Sequence, residues 1–119
     1  RVEWRCLPVG GDDSYHSIVS LDTGEQLADL SGLVVTGWSG DGCIVIGERA
    51  GSTEVVSADG TVQLGRVRAA HLGPDGRTVV RTTTAGTTDI LTIADDLTIG
   101  EPVDISEITP SNPIVAYLD

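Results

Sequence analysis

Residues 39–65 read SGDGCIVIGERAGSTEVVSADGTVQLG, and this stretch decides the fold. Gly40-Asp41-Gly42 is a turn, because glycine accepts positive φ and an aspartate side chain caps its own backbone. Cys43-Ile44-Val45-Ile46 is an apolar, β-branched run too short for a typical helix, and it reads as a strand. Arg49-Ala50-Gly51-Ser52 turns the chain, and Thr53 to Ala58 is the next strand. Asp59-Gly60 carries a two-residue hairpin signal, after which Thr61 to Leu64 returns.

The same unit recurs on both sides. Downstream, Gly73-Pro74-Asp75-Gly76 lies 34 residues after Ser39-Gly40-Asp41-Gly42, and Ala85-Gly86-Thr87 lies 35 after Ala50-Gly51-Ser52. Thr88-Asp89-Ile90-Leu91-Thr92 then matches Thr53-Glu54-Val55-Val56-Ser57, and Asp95 lies 36 after Asp59. The drift of one residue at each turn is what small loop insertions give. Upstream, Cys6-Leu7-Pro8-Val9-Gly10 precedes Cys43-Ile44-Val45-Ile46-Gly47 by 37, as Val19-Ser20-Leu21-Asp22 precedes Val56-Ser57-Ala58-Asp59. Three copies follow, approximately 1–30, 31–67 and 68–105, in a single domain spanning 1–119. The period falls among β repeats, a little below the usual propeller blade.

Each copy reads as four strands; in the middle copy these are Leu33 to Trp38, Cys43 to Glu48, Thr53 to Ala58 and Thr61 to Arg66. Runs such as Leu33-Val34-Val35, Ile44-Val45-Ile46, Val79-Val80 and Ile90-Leu91 are apolar at consecutive positions, which predicts sheets buried on both faces. An antiparallel sheet covered on both faces suits a propeller blade between its neighbours.

The turn Gly73-Pro74-Asp75-Gly76, followed by an apolar strand and then a strand ending near an aspartate turn, resembles the WD40-like repeat of TolB-like β-propellers. Among the copies only this one carries Pro-Asp-Gly, and the Trp-Asp and Gly-His dipeptides of eukaryotic WD40 blades are absent. The resemblance implies an all-β fold of three four-stranded antiparallel propeller-like blades and transfers no catalytic residue. It also implies an extracytoplasmic setting, periplasmic or secreted, and a bacterial origin. Similar propellers precede the hydrolase domain of prolyl-oligopeptidase-like peptidases, so an accessory propeller or fragment of such an enzyme is the alternative, beside a purely structural self-assembling repeat.

Three blades are fewer than the roughly four to eight of closed propellers. Two chains can complete a six-bladed ring as a homodimer, the chain can be half of a larger propeller, or three sheets can pack as an open stack. The first copy lacks its first strand, and the tail offers a candidate. After a loop carrying Pro110 and Pro113, Ile114-Val115-Ala116-Tyr117-Leu118-Asp119 reads as a strand, so that 113–119 can close the first blade and cover its edge.

The formal net charge is −11, from 18 acidic residues against 7 arginines and no lysine. This argues against nucleic acid and anionic membrane surfaces as partners; it fits a solvated acidic surface, or else cationic partners or ions, and a protein or peptide partner is expected. No apolar stretch is long enough for a membrane span. With no methionine, the chain is expected to be a mature or excised fragment.

Chemistry-bearing residues are few. Cys6 and Cys43 occupy equivalent repeat positions; neighbouring sheets lie about 10 Å apart, whereas a disulfide needs Cα atoms within about 7 Å. The spacing therefore predicts two buried small hydrophobes ahead of a disulfide. His16 and His71 are the only histidines, and no Gly-x-Ser-x-Gly elbow accompanies them. Asp12-Asp13 and Asp95-Asp96 read as solvated turn acids, with no calcium-loop pattern. No Cys-x-x-Cys and no phosphate-loop motif occurs, so neither a metal nor a cofactor is expected. Trp38, at a strand end, can stack a sugar or anchor a partner, or plug the side of a blade. The loops between second and third strands are the expected binding face, with Asp12, Asp13, Arg49, Ser52 and Thr87 as its residues beside Trp38. The function expected is non-catalytic: a module for protein or ligand binding or scaffolding.

Overall fold

A computed structural model describes residues 4–10 and 15–105. These form eleven strands and no helix. The first sheet contains β1 (Cys6–Gly10), β2 (Tyr15–Ser20) and β3 (Gln26–Asp29). The second contains β4 (Val34–Trp38), β5 (Val45–Arg49), β6 (Ser52–Ser57) and β7 (Gly60–Gly65). The third contains β8 (Ala69–Leu72), β9 (Thr78–Thr82), β10 (Thr88–Thr92) and β11 (Val103–Asp104). Every sheet is antiparallel with strands in chain order, 1-2-3, 4-5-6-7 and 8-9-10-11. The first sheet thus has three strands, as its missing first strand predicts; the expected closing strand 113–119 lies outside the described residues.

The turns that join the first two strands of the second and third sheets share the same backbone bonds. Ser39 N–H donates to Ile44 O at 2.8 Å and Gly42 N–H to Ser39 O at 3.0 Å; 34 residues on, Gly73 N–H donates to Thr78 O at 2.8 Å and Gly76 N–H to Gly73 O at 3.0 Å. The aspartate at each centre caps the exit: Asp41 Oδ1 accepts from Cys43 N–H at 3.0 Å, Asp75 Oδ1 from Arg77 N–H at 2.9 Å. Such Asx bonds offer the backbone an alternative to the ladder. They explain one departure from the sequence reading. The strand expected from Cys43 starts at Val45, because Asp41 and the Ser39 hydroxyl claim the amides of Cys43 and Ile44.

A second departure is the hairpin expected at Asp59-Gly60. The two-residue loop is Ala58-Asp59, and Ser57 pairs with Gly60 as the first rung of the returning strand. Gly60 supplies a φ of +142° where the chain re-enters the ladder, while the Ser57 hydroxyl accepts from Asp59 N–H at 3.3 Å. The turn at Arg49-Ala50-Gly51-Ser52 is as expected, with Ala50 at φ +53° and Gly51 at +81° forming the primed type of two-residue turn.

The sheets stack face to face, and the middle one is covered on both sides. Ladder partners Val45 and Val56 point one way, into a cluster with Cys6, Ile18, Leu30 and Leu33. Ile46 and Val55, the next rung, point the other way, into a cluster with Val62, Leu64, Val79, Leu91 and Ile93. This is why the middle strands read as unbroken apolar runs. Each fully buried aliphatic side chain contributes about 1.5–3 kcal/mol, so the two clusters are the main source of cohesion between sheets.

The cysteines overturn their sequence reading: Cys6 and Cys43 form a disulfide with Cα atoms 4.8 Å apart. The 37-residue spacing suggested equivalent places one sheet apart, but Cys6 opens β1 while Cys43 sits in the turn ahead of β5. That turn leans onto the first sheet. Asp41 O accepts from both Arg5 N–H at 3.0 Å and Cys6 N–H at 3.1 Å. On its other side, Gly40 N–H donates to Pro74 O at 2.8 Å, so the first-to-second-strand turn of the middle sheet is tied to both neighbours.

Candidate functional site

The described residues nominated from sequence lie at both ends of the sheets. Arg49 and Ser52 face each other across the β5–β6 turn. Arg49 Nε lies 3.8 Å from Glu54 Oε1, a carboxylate whose residue is 5 % exposed on the middle sheet. The other oxygen of Glu54 accepts from Gln63 Nε2 at 3.0 Å, and Ser52 Oγ donates to Gln63 Oε1 at 3.2 Å. Both nominated side chains therefore serve a polar cluster of their own sheet. Thr87 occupies the corresponding turn of the third sheet, where its hydroxyl meets that of Thr83 at 2.7 Å and closes the turn. Trp38 stands at the other end of its sheet, pairing with Val45 at the end of β4. It is 42 % exposed and packs edge-to-face on Tyr15 of the first sheet, with ring centroids 5.9 Å apart. Trp38 thus bridges two sheets with one face left to solvent. Asp12 and Asp13 lie outside the described residues.

A cavity of about 320 Å³ opens at the end opposite the Arg49–Ser52 turn. All three sheets contribute. The first gives Arg5, Ser20 and Asp22; the second gives Asp41, Ser57 and Asp59; the third gives Arg77, and the Cys6–Cys43 bridge with Leu27 and Ile44 supplies the apolar lining. Local chemistry fixes most of these groups. The Ser20 hydroxyl accepts from Asp22 N–H at 3.2 Å, as Ser57 does from Asp59 N–H, so both hydroxyls are turn acceptors. Asp41 Oδ1 also accepts from Ser39 Oγ at 2.7 Å. Arg77 is anchored by Ala94 O at 3.2 Å and Asp95 at 3.1 Å. Asp22 and Asp59, on exposed turns, and the exposed Arg5 also line the cavity. The lining holds neither histidine, so no hydroxyl has an imidazole base beside it. The arrangement can pair with charged groups of a ligand.

The histidines sit elsewhere. His16 is exposed on β2, its Nδ1 3.2 Å from the Ser17 hydroxyl, and His71 is exposed on β8. Hydrogen bonds from the Ser31 hydroxyl and amide hold the Asp29 carboxyl below the usual range, with Arg49 and His16 adding attraction. Thr98 does the same for Asp96 through its hydroxyl and amide. Arg81 and Asp89 form a two-pronged ion pair at 3.0 and 2.7 Å beside the inter-sheet core, which favours the charged guanidinium. Among the described residues, no group of three or more His, Cys, Asp or Glu is arranged to hold a metal ion, and no helix is long and apolar enough to cross a membrane.

Sequence reasoning missed the cavity and the disulfide. The signal for the second was present, in a lone pair of cysteines spaced by one repeat; what was not in the sequence is the tilt that brings a turn onto the neighbouring strand. Fold and site together define an all-β protein of stacked antiparallel sheets with a charged cavity at one end. No family model, no curated protein and no solved structure matches the chain.

Proposed function

We propose that this chain is a non-catalytic module of the β-propeller type that binds a protein or peptide partner at the cavity end of its sheets. The observation that carries this is the convergence of turns from three equivalent sheets on one opening lined by Arg5, Asp22, Asp41, Asp59 and Arg77. Loops gathered at one end of a rigid β scaffold are a common binding surface. Three carboxylates against two guanidiniums, on a chain of net charge −11, select for a partner that brings cationic groups. In this reading two chains complete a ring of six sheets.

The test is a titration of isotope-labelled protein with arginine- and lysine-bearing peptides, followed by amide shifts. The expected shifts cluster on Arg5, Ser20, Asp22, Ser57 and Asp59 and fade in Asp22→Arg and Asp59→Arg. Shifts gathered instead at Arg49, Ser52 and Thr87 would overturn the cavity assignment in favour of the other end. Saturation by acidic peptides alone would overturn the charge argument.

A further inference from the structure

Arg77 shows how a turn of this chain takes a guanidinium. Its Nη1 donates to Ala94 O at 3.2 Å and its Nη2 lies 3.1 Å from Asp95 Oδ1, so a carbonyl and the next residue's carboxylate share one planar group. Ala94-Asp95 follows β10, the third strand of the third sheet. Ala58-Asp59, 36 residues earlier, follows β6, the third strand of the second sheet. The acceptors recur there, but the donor does not. Arg77 stands two residues after Asp75, whose Oδ1 accepts its backbone amide; two residues after Asp41, bonded in the same way, stands Cys43. Cys43 is committed to the bridge with Cys6, and Asp59 forms no ion pair with any described residue. Cys43, Ala58 and Asp59 all line the cavity of about 320 Å³. Its lining grades from exposed Ala58 and Asp59 through half-buried Leu27, Cys43 and Ile44 to buried Cys6.

We infer that the cavity takes an arginine side chain of the partner, with its guanidinium on the Ala58 carbonyl and the Asp59 carboxylate as Arg77 sits on Ala94 and Asp95. The aliphatic stem lies along Leu27, Ile44 and the Cys6–Cys43 bridge, since a long cationic side chain covers apolar surface while its head stays among polar groups. Arginine is selected over lysine by the form of the acceptor pair. A guanidinium presents its N–H donors in a fixed plane and serves a carbonyl and a carboxylate together, whereas an ammonium is a compact point charge. This inference rests on the reading of the cavity as a peptide site and names the residue that the site selects.

The test uses two capped tripeptides, glycyl-arginyl-glycine and glycyl-lysyl-glycine. Each is titrated by amide shifts into the unaltered chain, Asp59→Asn and Asp22→Asn. Both substitutions fall on exposed residues and keep the backbone amides that bond the Ser57 and Ser20 hydroxyls, and unchanged amide positions at Ile46 and Val55 report the intact fold. The arginine peptide is expected to shift Ile44, Ala58 and Asp59 and to bind about tenfold tighter than the lysine peptide, the worth of one further charge-assisted hydrogen bond. Asp59→Asn is expected to remove that preference, and Asp22→Asn to keep it. Equal affinities for the two peptides in the unaltered chain overturn arginine selection and leave the cavity reading standing. A preference that survives Asp59→Asn overturns the seat on that turn. Cavity amides that respond to neither tripeptide overturn both.

Discussion

Gly42 shows at the residue scale how tightly the second sheet's opening turn is set against the first sheet. Its φ is +77°, and a Cβ there would overlap the Trp4 ring and the Cys6 carbonyl. Gly24 has nearly the same φ, +75°, with nothing within 4 Å. The two positions separate backbone cost from crowding. Gly24→Ala is expected to lower stability by about 1 kcal/mol, the ordinary penalty for an L-residue in that region. Gly42→Ala is expected to cost about 3 kcal/mol or more, because backbone or an indole must also move. Urea denaturation midpoints compare the two. Titration belongs at this scale as well. The Asp29 and Asp96 carboxyls are lowered by bonds from Ser31 and Thr98, so their stabilisation is present above the unfolded carboxylate value and is lost as pH falls through the lowered folded value. Asp96→Asn is expected to flatten the stability curve below about pH 4 while leaving it parallel to the unaltered chain at neutral pH. Denaturant midpoints across pH check this, and an unchanged acid limb would contradict it.

At the scale of elements, the turns were the most legible part of the sequence. Gly-Asp-Gly and Gly-Pro-Asp-Gly named two equivalent turns, and the structure gives them the same backbone bonds. Consecutive apolar residues such as Val45-Ile46 announced a sheet covered on both faces, as the middle sheet is. Strand starts were less legible, because Asp41 and Ser39 side chains withdraw the amides of Cys43 and Ile44 from the ladder. Contacts between sheets were not legible at all. The Cys6–Cys43 bridge and the cavity beside it depend on how a turn of one sheet tilts onto a strand of the next, which no local pattern encodes. The bridge closes a 37-residue separation, and loop-entropy arithmetic assigns such a link about 4 kcal/mol. Cys6→Ala with Cys43→Ala is expected to lose a stabilisation of that order and to unpin the start of β1. Faster amide exchange at Leu7 to Gly10 than at Ile46 and Val55 would report it; uniform exchange would mean that the bridge does not hold the first sheet in place.

For the whole molecule, the account joins a stack of three antiparallel sheets to a charged cavity at one end. The four-strand pattern of the second and third sheets was legible in the sequence; which end of the stack opens was not, since that is set by where turns of three sheets meet. The most direct measurement is the absolute mass of the intact chain in solution, by light scattering across a dilution series. The account predicts twice the 12.4 kDa of one chain, persisting on dilution and at raised salt. A compact particle of 12.4 kDa at every concentration would contradict it.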